Sequence, residues 1–208
     1  MSVIEPKAIA SDSYKTITTS GESLFKDRGS KFLGFVYHVS DEDEINEILA
    51  ELKKKYYDAR HWCYAYILNP TDPVYRINDD GEPAHSAGTP IYHQLLSAEV
   101  YDVLAVVVRY FGGTKLGVPG LIHAYGTAAA DAITTCSVQE MHITLKAKIN
   151  FPYPLMNDAM RVIKDLDLSI IKEDMGLRGG YHLEFRKGLK NEVEQRFNLL
   201  HELNFEYF

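Results

Sequence analysis

Hydrophobic positions recur at helical spacing in the segment 41–57, which predicts an amphipathic helix. Four acidic residues stand at the start of this segment and three lysines near its end, as the helix dipole favours. We expect Ser40 to be the N-cap. The apolar stripe consists of Ile45, Ile48, Leu49, Leu52 and Tyr56.

Runs rich in aromatic and β-branched residues predict strands on both sides of this helix. They cover residues 31–39, 61–68 and 74–78. The segment 102–110 is the most apolar run, which predicts the central strand of a sheet.

Two further helices are predicted in the first 140 residues. Thr89 followed by Pro90 is typical of an N-cap and a first helical position, so we expect a short helix up to residue 98. A longer helix is expected from Pro119 to about residue 135, where small alanines allow close packing on a sheet.

The remaining residues show the pattern of a separate domain. Strands are expected at 143–151, 169–173, 181–185 and 204–208, and helices at 155–166 and 189–203. The order βαββαβ is that of a ferredoxin-like fold. We therefore predict an α+β protein with an N-terminal domain at 1–140 and a C-terminal domain at 141–208.

Charge and composition exclude several classes of protein. The net charge is −7, with 12 basic and 19 acidic residues in 1–140 and ten of each in 141–208. A general nucleic-acid coat is usually basic, so any nucleic-acid contact must be local. Two cysteines do not make a disulfide scaffold. With no signal-like N-terminus and no long apolar run, we expect a cytoplasmic protein without a membrane partner.

An acidic loop follows the strand at 74–78. Asp79, Asp80 and Glu82 lie within four residues around Gly81, whose lack of a side chain suits a turn. Three carboxylates could hold Mg²⁺, which prefers oxygen ligands. They could instead pair with basic side chains of another loop, or form an exposed acidic turn before a helix.

A glycine-rich loop follows the predicted central strand. Glycines allow a tight turn and close backbone approach, and free N–H groups at a helix start favour an anion. The spacing does not match a nucleotide-binding motif. The alternative is that the glycines only connect strand and helix and Lys115 is solvated. The candidate residues are Arg109, Tyr110, Gly112, Gly113, Lys115, Gly117 and Gly120.

The cysteine and histidine positions do not predict a catalytic set. His61 and Cys63 share one face of a predicted strand, but Cys63 in an aromatic strand is more typical of a core. His85 and His123 fall in or after the two loops, where satisfied or exposed imidazoles are expected.

The segments 79–90 (DDGEPAHSAGTP) and 109–125 (RYFGGTKLGVPGLIHAY) resemble the signature of the IMPACT family. The segments 31–32 and 59–66 are similar to its upstream blocks, so the resemblance covers about residues 15–135. The sequence departs from the family pattern at a few positions. Ala84 and His85 replace Ser and Gly, Pro119 replaces a glycine, and His123 replaces an arginine, which weakens a phosphate-binding interpretation.

The resemblance implies a fold and a field of activity. It implies an N-terminal domain like domain two of ribosomal protein S five, and a ferredoxin-like domain similar to the C-terminal domains of elongation factor G. Eukaryotic members of the family restrain the amino-acid-starvation kinase pathway and so influence translation initiation. For bacterial members, a nucleic-acid or ribosome role is an analogy from fold.

We therefore expect a non-enzymatic regulator of translation that binds RNA, the ribosome or a translation-associated protein. The candidate binding residues are those of the two loops, which we expect to meet and line one cleft. No cofactor is expected apart from the Mg²⁺ alternative. The alternatives are an enzyme for a small phosphate-containing ligand and a pure protein–protein adaptor. The absence of a nucleophile–base–orienter set favours binding over catalysis.

Overall fold

The structure is a computed structural model that describes residues 4–208. The strands are β1 (Ser13–Ile17), β2 (Gly21–Asp27), β3 (Ser30–His38), β4 (His61–Leu68), β5 (Val74–Asn78), β6 (Val103–Tyr110), β7 (Val138–His142), β8 (Thr144–Phe151), β9 (Ser169–Glu173), β10 (Gly179–Arg186) and β11 (Asn204–Tyr207). The α-helices are α1 (Glu42–Lys55), α2 (Gly88–Ala98), α3 (Gly117–Thr134), α4 (Met156–Asp165) and α5 (Lys190–Asn198). The predicted α+β fold class is confirmed.

The described residues form two compact units. One contains residues 4–10 and Tyr14–Met141, and the other contains Ser11–Ser13 and His142–Phe208. Each has its own hydrophobic core. Within the described part of the chain, no helix has the length and apolar character needed to cross a membrane.

The first unit is organised around β6. Its five-stranded sheet has the order β2-β3-β6-β4-β5, with antiparallel neighbours throughout. Alternate side chains of a strand point to opposite faces. Val103, Ala105 and Val107 therefore pack in the core under α2 and α3, whereas the intervening residues join a second core under α1. Burial on both faces explains why β6 is so apolar.

Helix α1 begins one residue later than its predicted cap implies. Asp41, not Ser40, is the N-cap, and its carboxylate accepts a 2.9 Å hydrogen bond from the backbone N–H of Glu44. The Glu44 carboxylate in turn accepts from the N–H of Ser40 at 2.8 Å. The prediction of Ser40 was wrong because this reciprocal pair satisfies the helix start instead.

The predicted N-cap of α2 was also wrong, and α3 begins two residues before the expected start at about Pro119. Thr89 lies inside α2, which begins at Gly88, and Pro119 is the third residue of α3. The N–H groups at the start of α2 donate to the carboxylate of Asp79, which lies eight and nine positions earlier in the chain. A local N-cap motif does not reveal such a partner.

Three strands were absent from the sequence prediction: β1, β2 and β7. The strand β2 forms a hairpin with β3, and β1 pairs with β7 in a two-stranded sheet. Polar residues interrupt all three, and β2 and β7 also have several exposed positions, so none has the apolar run that marks a buried strand.

In the second unit the sheet order is β11-β8-β10-β9, with antiparallel neighbours. This is the strand order expected for the βαββαβ arrangement. Helices α4 and α5 contribute apolar side chains to the core of this unit. Two boundaries differ from expectation. Strand β10 begins at Gly179 and not at residue 181, and α5 ends at Asn198 and not at residue 203.

The first unit should fold without the second. A fragment of residues 1–142 keeps β7 whole, and about 140 residues can bury a sufficient core. We expect this fragment to unfold in one cooperative thermal transition, measured by circular dichroism. A shorter fragment ending at residue 134 lacks the partner of β1 and should melt at a lower temperature. A soluble 1–142 fragment without any transition would contradict this boundary.

Candidate functional site

The candidate loops begin at one end of the five-stranded sheet. His61, the first residue of β4, lies opposite Arg109 near the end of β6. The acidic loop follows β5, which pairs with β4. The antiparallel register therefore places the start of β4 beside the ends of β5 and β6.

The centre of the site is a buried ion pair. The Arg109 Nη1 donates to the Glu82 Oε1, and the two side chains are only 6% and 5% exposed. The Tyr125 hydroxyl of α3 donates to the same carboxylate oxygen at 2.8 Å. The rings of Phe32 and Phe111 lie 5.4 and 5.6 Å from the guanidinium carbon. A buried charge needs such partners, because removing each ion from water costs on the order of several kcal/mol.

The other two carboxylates of the acidic loop bind backbone N–H groups. Asp79 accepts hydrogen bonds from His85, Ala87 and Gly88, each at 2.9 Å. Asp80 accepts from the N–H of Trp62 at 2.7 Å. Each carboxylate of the loop is thus directed at a different protein donor.

This arrangement bears on the Mg²⁺ alternative. Within residues 4–208, no group of three or more His, Cys, Asp or Glu side chains is placed to hold a metal ion. Hydrogen bonds from backbone N–H groups and from the Arg109 guanidinium to its carboxylates hold the acidic loop in place. It also follows that the loop is not the freely exposed acidic turn considered from the sequence.

Cys63 lies under this network. Its Sγ is 3.0 Å from the Asp79 carbonyl oxygen and 3.4 Å from the Tyr125 hydroxyl oxygen. Burial raises the pKa of the Cys63 thiol far above its ordinary value, and burial likewise raises the pKa of Tyr125. A protonated, enclosed thiol is a poor nucleophile.

His61 does not activate this thiol. Its Nδ1 is 2.8 Å from the carbonyl oxygen of Asp80, and its Nε2 is 3.8 Å from the Glu82 carboxylate. Of the other two candidate histidines, His85 has its Nδ1 3.2 Å from the Thr89 hydroxyl, and the His123 ring packs edge-on against Phe25.

The glycine loop is held against the turn between β2 and β3. The N–H of Gly112 donates to the Ser30 hydroxyl at 3.1 Å. A Cβ at Gly112 would lie 1.9 Å from the carbonyl carbon of Gly29, so only glycine fits this contact. Gly113 has φ +87° and Gly117 has φ +73°, values that glycine adopts at low cost.

Not all predicted site residues converge. Glu82 and Arg109 meet as expected, but Lys115 is exposed and forms no ion pair with any residue from 4 to 208. Tyr110 is partly buried against the core on the α1 side, and its hydroxyl donates to Asp58. Gly120 packs near the Leu116 side chain in the first turn of α3.

Sequence reasoning missed Tyr125, Phe32 and the turn at Gly29. Tyr125 and Phe32 do fall in the motif segments 109–125 and 31–32, which was the available signal. Their roles depend on contacts between distant parts of the chain. The Tyr125 ring, for example, packs edge-on against Phe32 at 5.1 Å.

These features define an α+β protein in which a buried ion pair holds two signature loops at one end of a sheet. A family model described as the Impact N-terminal domain matches residues 28–133. The chain belongs to the IMPACT family.

Several known proteins are similar to this chain. It is 39% identical to the IMPACT family member YvyE of Bacillus subtilis over 128 residues, which are 62% of this chain and 59% of that protein. It is 30% identical to YigZ of Escherichia coli over 147 residues, 70% of this chain and 72% of the relative. A crystal structure described as that of a hypothetical protein aligns with 95% of this chain and 98% of its own, with a TM-score of 0.70. At 22% identity, this last likeness shows the fold alone.

The buried ion pair yields a prediction about stability. Glu82→Gln leaves the Arg109 guanidinium buried without a counter-charge, so the free energy of unfolding should fall by about 3–5 kcal/mol. Combining Glu82→Gln with Arg109→Met removes both charges and should cost less than the sum of the two single variants. Urea denaturation of the three variants measures these differences.

The matched control for the ion pair is the exposed Lys15–Glu99 pair, whose side chains are 54% and 74% exposed. Glu99→Gln should cost no more than about 1 kcal/mol. Equal, small losses from Glu82→Gln and Glu99→Gln would contradict the assigned role of the buried pair.

The buried thiol yields a prediction about alkaline pH. Burial raises the pKa of Cys63 in the folded chain, whereas an unfolded cysteine ionises near about 8.5. Its contribution to stability is therefore complete below about pH 8.5 and decreases as the pH rises, by about 1.4 kcal/mol per pH unit. Cys63→Ala should lose this portion of the pH dependence. The protein that keeps Cys63 and the Cys63→Ala variant should both carry Cys136→Ala, because the pKa of Cys136 is also raised. The prediction is contradicted if the unfolding free energy of the proteins with and without Cys63 changes with the same slope between about pH 9 and 10.

Proposed function

We propose that this chain is a non-enzymatic regulator of translation that binds RNA, on the ribosome or apart from it, through the exposed part of the glycine loop. One observation supports the proposal above all: the carboxylates of the acidic loop and the Arg109 guanidinium bind other groups of the protein itself. Membership of the IMPACT family supports the connection with translation.

The polar groups that a catalyst would need are engaged in the fold. Glu82 binds Arg109 and Tyr125, and Asp79 binds the start of α2. Cys63 is fully buried with a raised pKa. These facts support a structural role for the signature's interior, and they disfavour the alternative of a small-ligand enzyme.

The exposed part of the signature has a different character. Gly113, Thr114 and Lys115 are exposed, and α3 begins directly after them without a side-chain N-cap. A phosphate there gains about 0.3–1 kcal/mol from the helix end. A lysine contact adds about 1.5–3 kcal/mol when it is desolvated. The sum corresponds to affinity on the order of millimolar, so a useful ligand must bring several phosphates, as RNA does.

A protein adaptor is the second candidate. Val118 and Ile122 lie four positions apart on α3 and are 45% and 42% exposed. Residues at this spacing share one helix face, and exposed apolar residues mark protein contacts when they form a patch. The excess of acidic residues in 1–140 also suits a protein partner better than RNA.

Lys115→Ala tests the RNA proposal. The variant should bind single-stranded RNA more weakly, with the slope of log K against log salt shallower by about 0.7, or by about 0.9 for a duplex. Fluorescence anisotropy across a salt series measures the slope, and co-pelleting with ribosomes measures the larger complex. Lys54→Ala is the matched control, because Lys54 is exposed on α1 and forms no ion pair within the described residues.

Two results would separate the candidates. If Lys115→Ala leaves the salt slope and the affinity for RNA unchanged, Lys115 is only a solvated loop residue. If ribosome co-pelleting then falls with Ile122→Asp but not with Lys115→Ala, the adaptor replaces the RNA proposal.

A further inference from the structure

The β2–β3 hairpin carries three cations near its tip: Lys26 in β2, Arg28 in the turn and Lys31 in β3. All three are exposed. None forms an ion pair with a residue in the part of the chain that the structure describes. They stand together in a unit that has more acidic than basic residues. With Asp27 between Lys26 and Arg28, the three cations and one carboxylate leave the hairpin tip with a net positive charge.

Two of these cations are direct cross-strand neighbours. Lys26 lies opposite Lys31 in the antiparallel register. Directly opposed like charges destabilise a hairpin. Neither lysine belongs to an ion pair among residues 4–208, and a bound anion would offset this repulsion.

The third cation occupies a position that disfavours it. Arg28 has φ +43° and Gly29 has φ +81° in the two-residue turn. Turns with two positive φ values prefer Asn, Asp or Gly at the first position, because other side chains are strained there. An arginine is nevertheless placed at the tip, between the two lysines in sequence.

The hairpin tip is fixed beside the glycine loop by Gly112. The close contact of Gly112 with Gly29 and its hydrogen bond to Ser30 leave little freedom between the two segments. Phe111 precedes this contact, and its side chain is 51% exposed although its ring touches Arg109.

In the register Lys31 lies opposite Tyr110, so the two lysines share the α1-side face, whereas Phe111 lies with Arg109 and Phe32 on the other face. The same end of the sheet therefore presents cations on one face and an accessible aromatic ring on the other, and a bound strand must pass around the hairpin tip to reach both.

We propose that the hairpin tip and Phe111 form the contact surface for single-stranded RNA. Lys26, Arg28 and Lys31 bind successive phosphates, and Phe111 stacks on an unpaired base. The inference rests on the RNA binding proposed above and adds to Lys115 a second, separate group of contacts. Single-stranded RNA fits because stacking needs a base outside a duplex.

The test uses the full chain and a fluorescein-labelled oligouridine of about 12 nucleotides, within the usual site size for such surfaces. The triple variant Lys26→Gln, Arg28→Gln, Lys31→Gln should have a salt slope shallower by about 2, since each single-strand phosphate contact contributes about 0.7. At about 0.1 M salt this corresponds to a loss of affinity of roughly 100-fold. The control Lys53→Gln, Lys54→Gln, Lys55→Gln changes the net charge equally and should keep most of the slope.

Phe111→Ala gives an independent readout. Loss of one stacked base should weaken binding by roughly 5- to 100-fold without changing the salt slope. Thermal melting checks that every variant is folded. If the triple variant fails to fold, Lys31→Gln alone should still make the slope shallower by about 0.7.

The outcomes are distinguishable from failure of the proposed function. If the unmodified chain binds neither oligouridine nor ribosomes, both proposals fail. If it binds, but the hairpin variant matches the lysine control in slope, only the hairpin assignment is overturned. Equal binding of an RNA duplex, with no effect of Phe111→Ala, would overturn the single-strand assignment.

Discussion

The structure of the signature region depends on one buried ion pair, that of Arg109 and Glu82. Arg109 lies near the end of the central strand, Glu82 in the acidic loop, and Tyr125 on α3. A charged pair of this kind does not add much net stability over apolar residues of the same size, but breaking it is costly. Its main effect is on geometry, because an unpaired arrangement of the same loops would leave a charge buried. The loops are therefore held in one arrangement.

The sequence allowed much of the fold to be predicted, and the confirmed elements share a physical property. Helix α1 and strand β6 carry a strong period or a continuous apolar run, so each could be recognised from its own residues. The ferredoxin-like strand order followed from the alternation of strands and helices. The N-cap expected at Thr89 failed, and α3 begins two residues before the expected start at about Pro119, because the backbone at these starts is controlled by Asp79, or by glycine conformation, and not by a neighbouring cap.

The site could be predicted only in part, for a related reason. The motifs located the residues, and the charges of Glu82 and Arg109 indicated that their loops would meet. Which groups are buried was not visible, because it depends on packing between segments that are distant in sequence. Glu82 is enclosed while Lys115 is exposed, although each is a charged residue in a loop that contains glycine. The contact between Gly112 and Gly29 has no sequence signal beyond the glycines themselves.

Because Asp79 caps α2, it limits the sequence changes that the acidic loop can tolerate. The carboxylate contacts backbone N–H groups of His85, Ala87 and Gly88, so it recognises the path of the chain and not its side chains. Side chains at exposed Ala84 can vary freely, whereas insertion of a residue would displace the N–H groups. His85 has φ +63°, a conformation that glycine adopts at low cost. Here a histidine adopts that conformation, with its N–H bound by the Asp79 carboxylate and its ring beside the Thr89 hydroxyl, so these contacts hold the loop in a backbone conformation that few side chains favour.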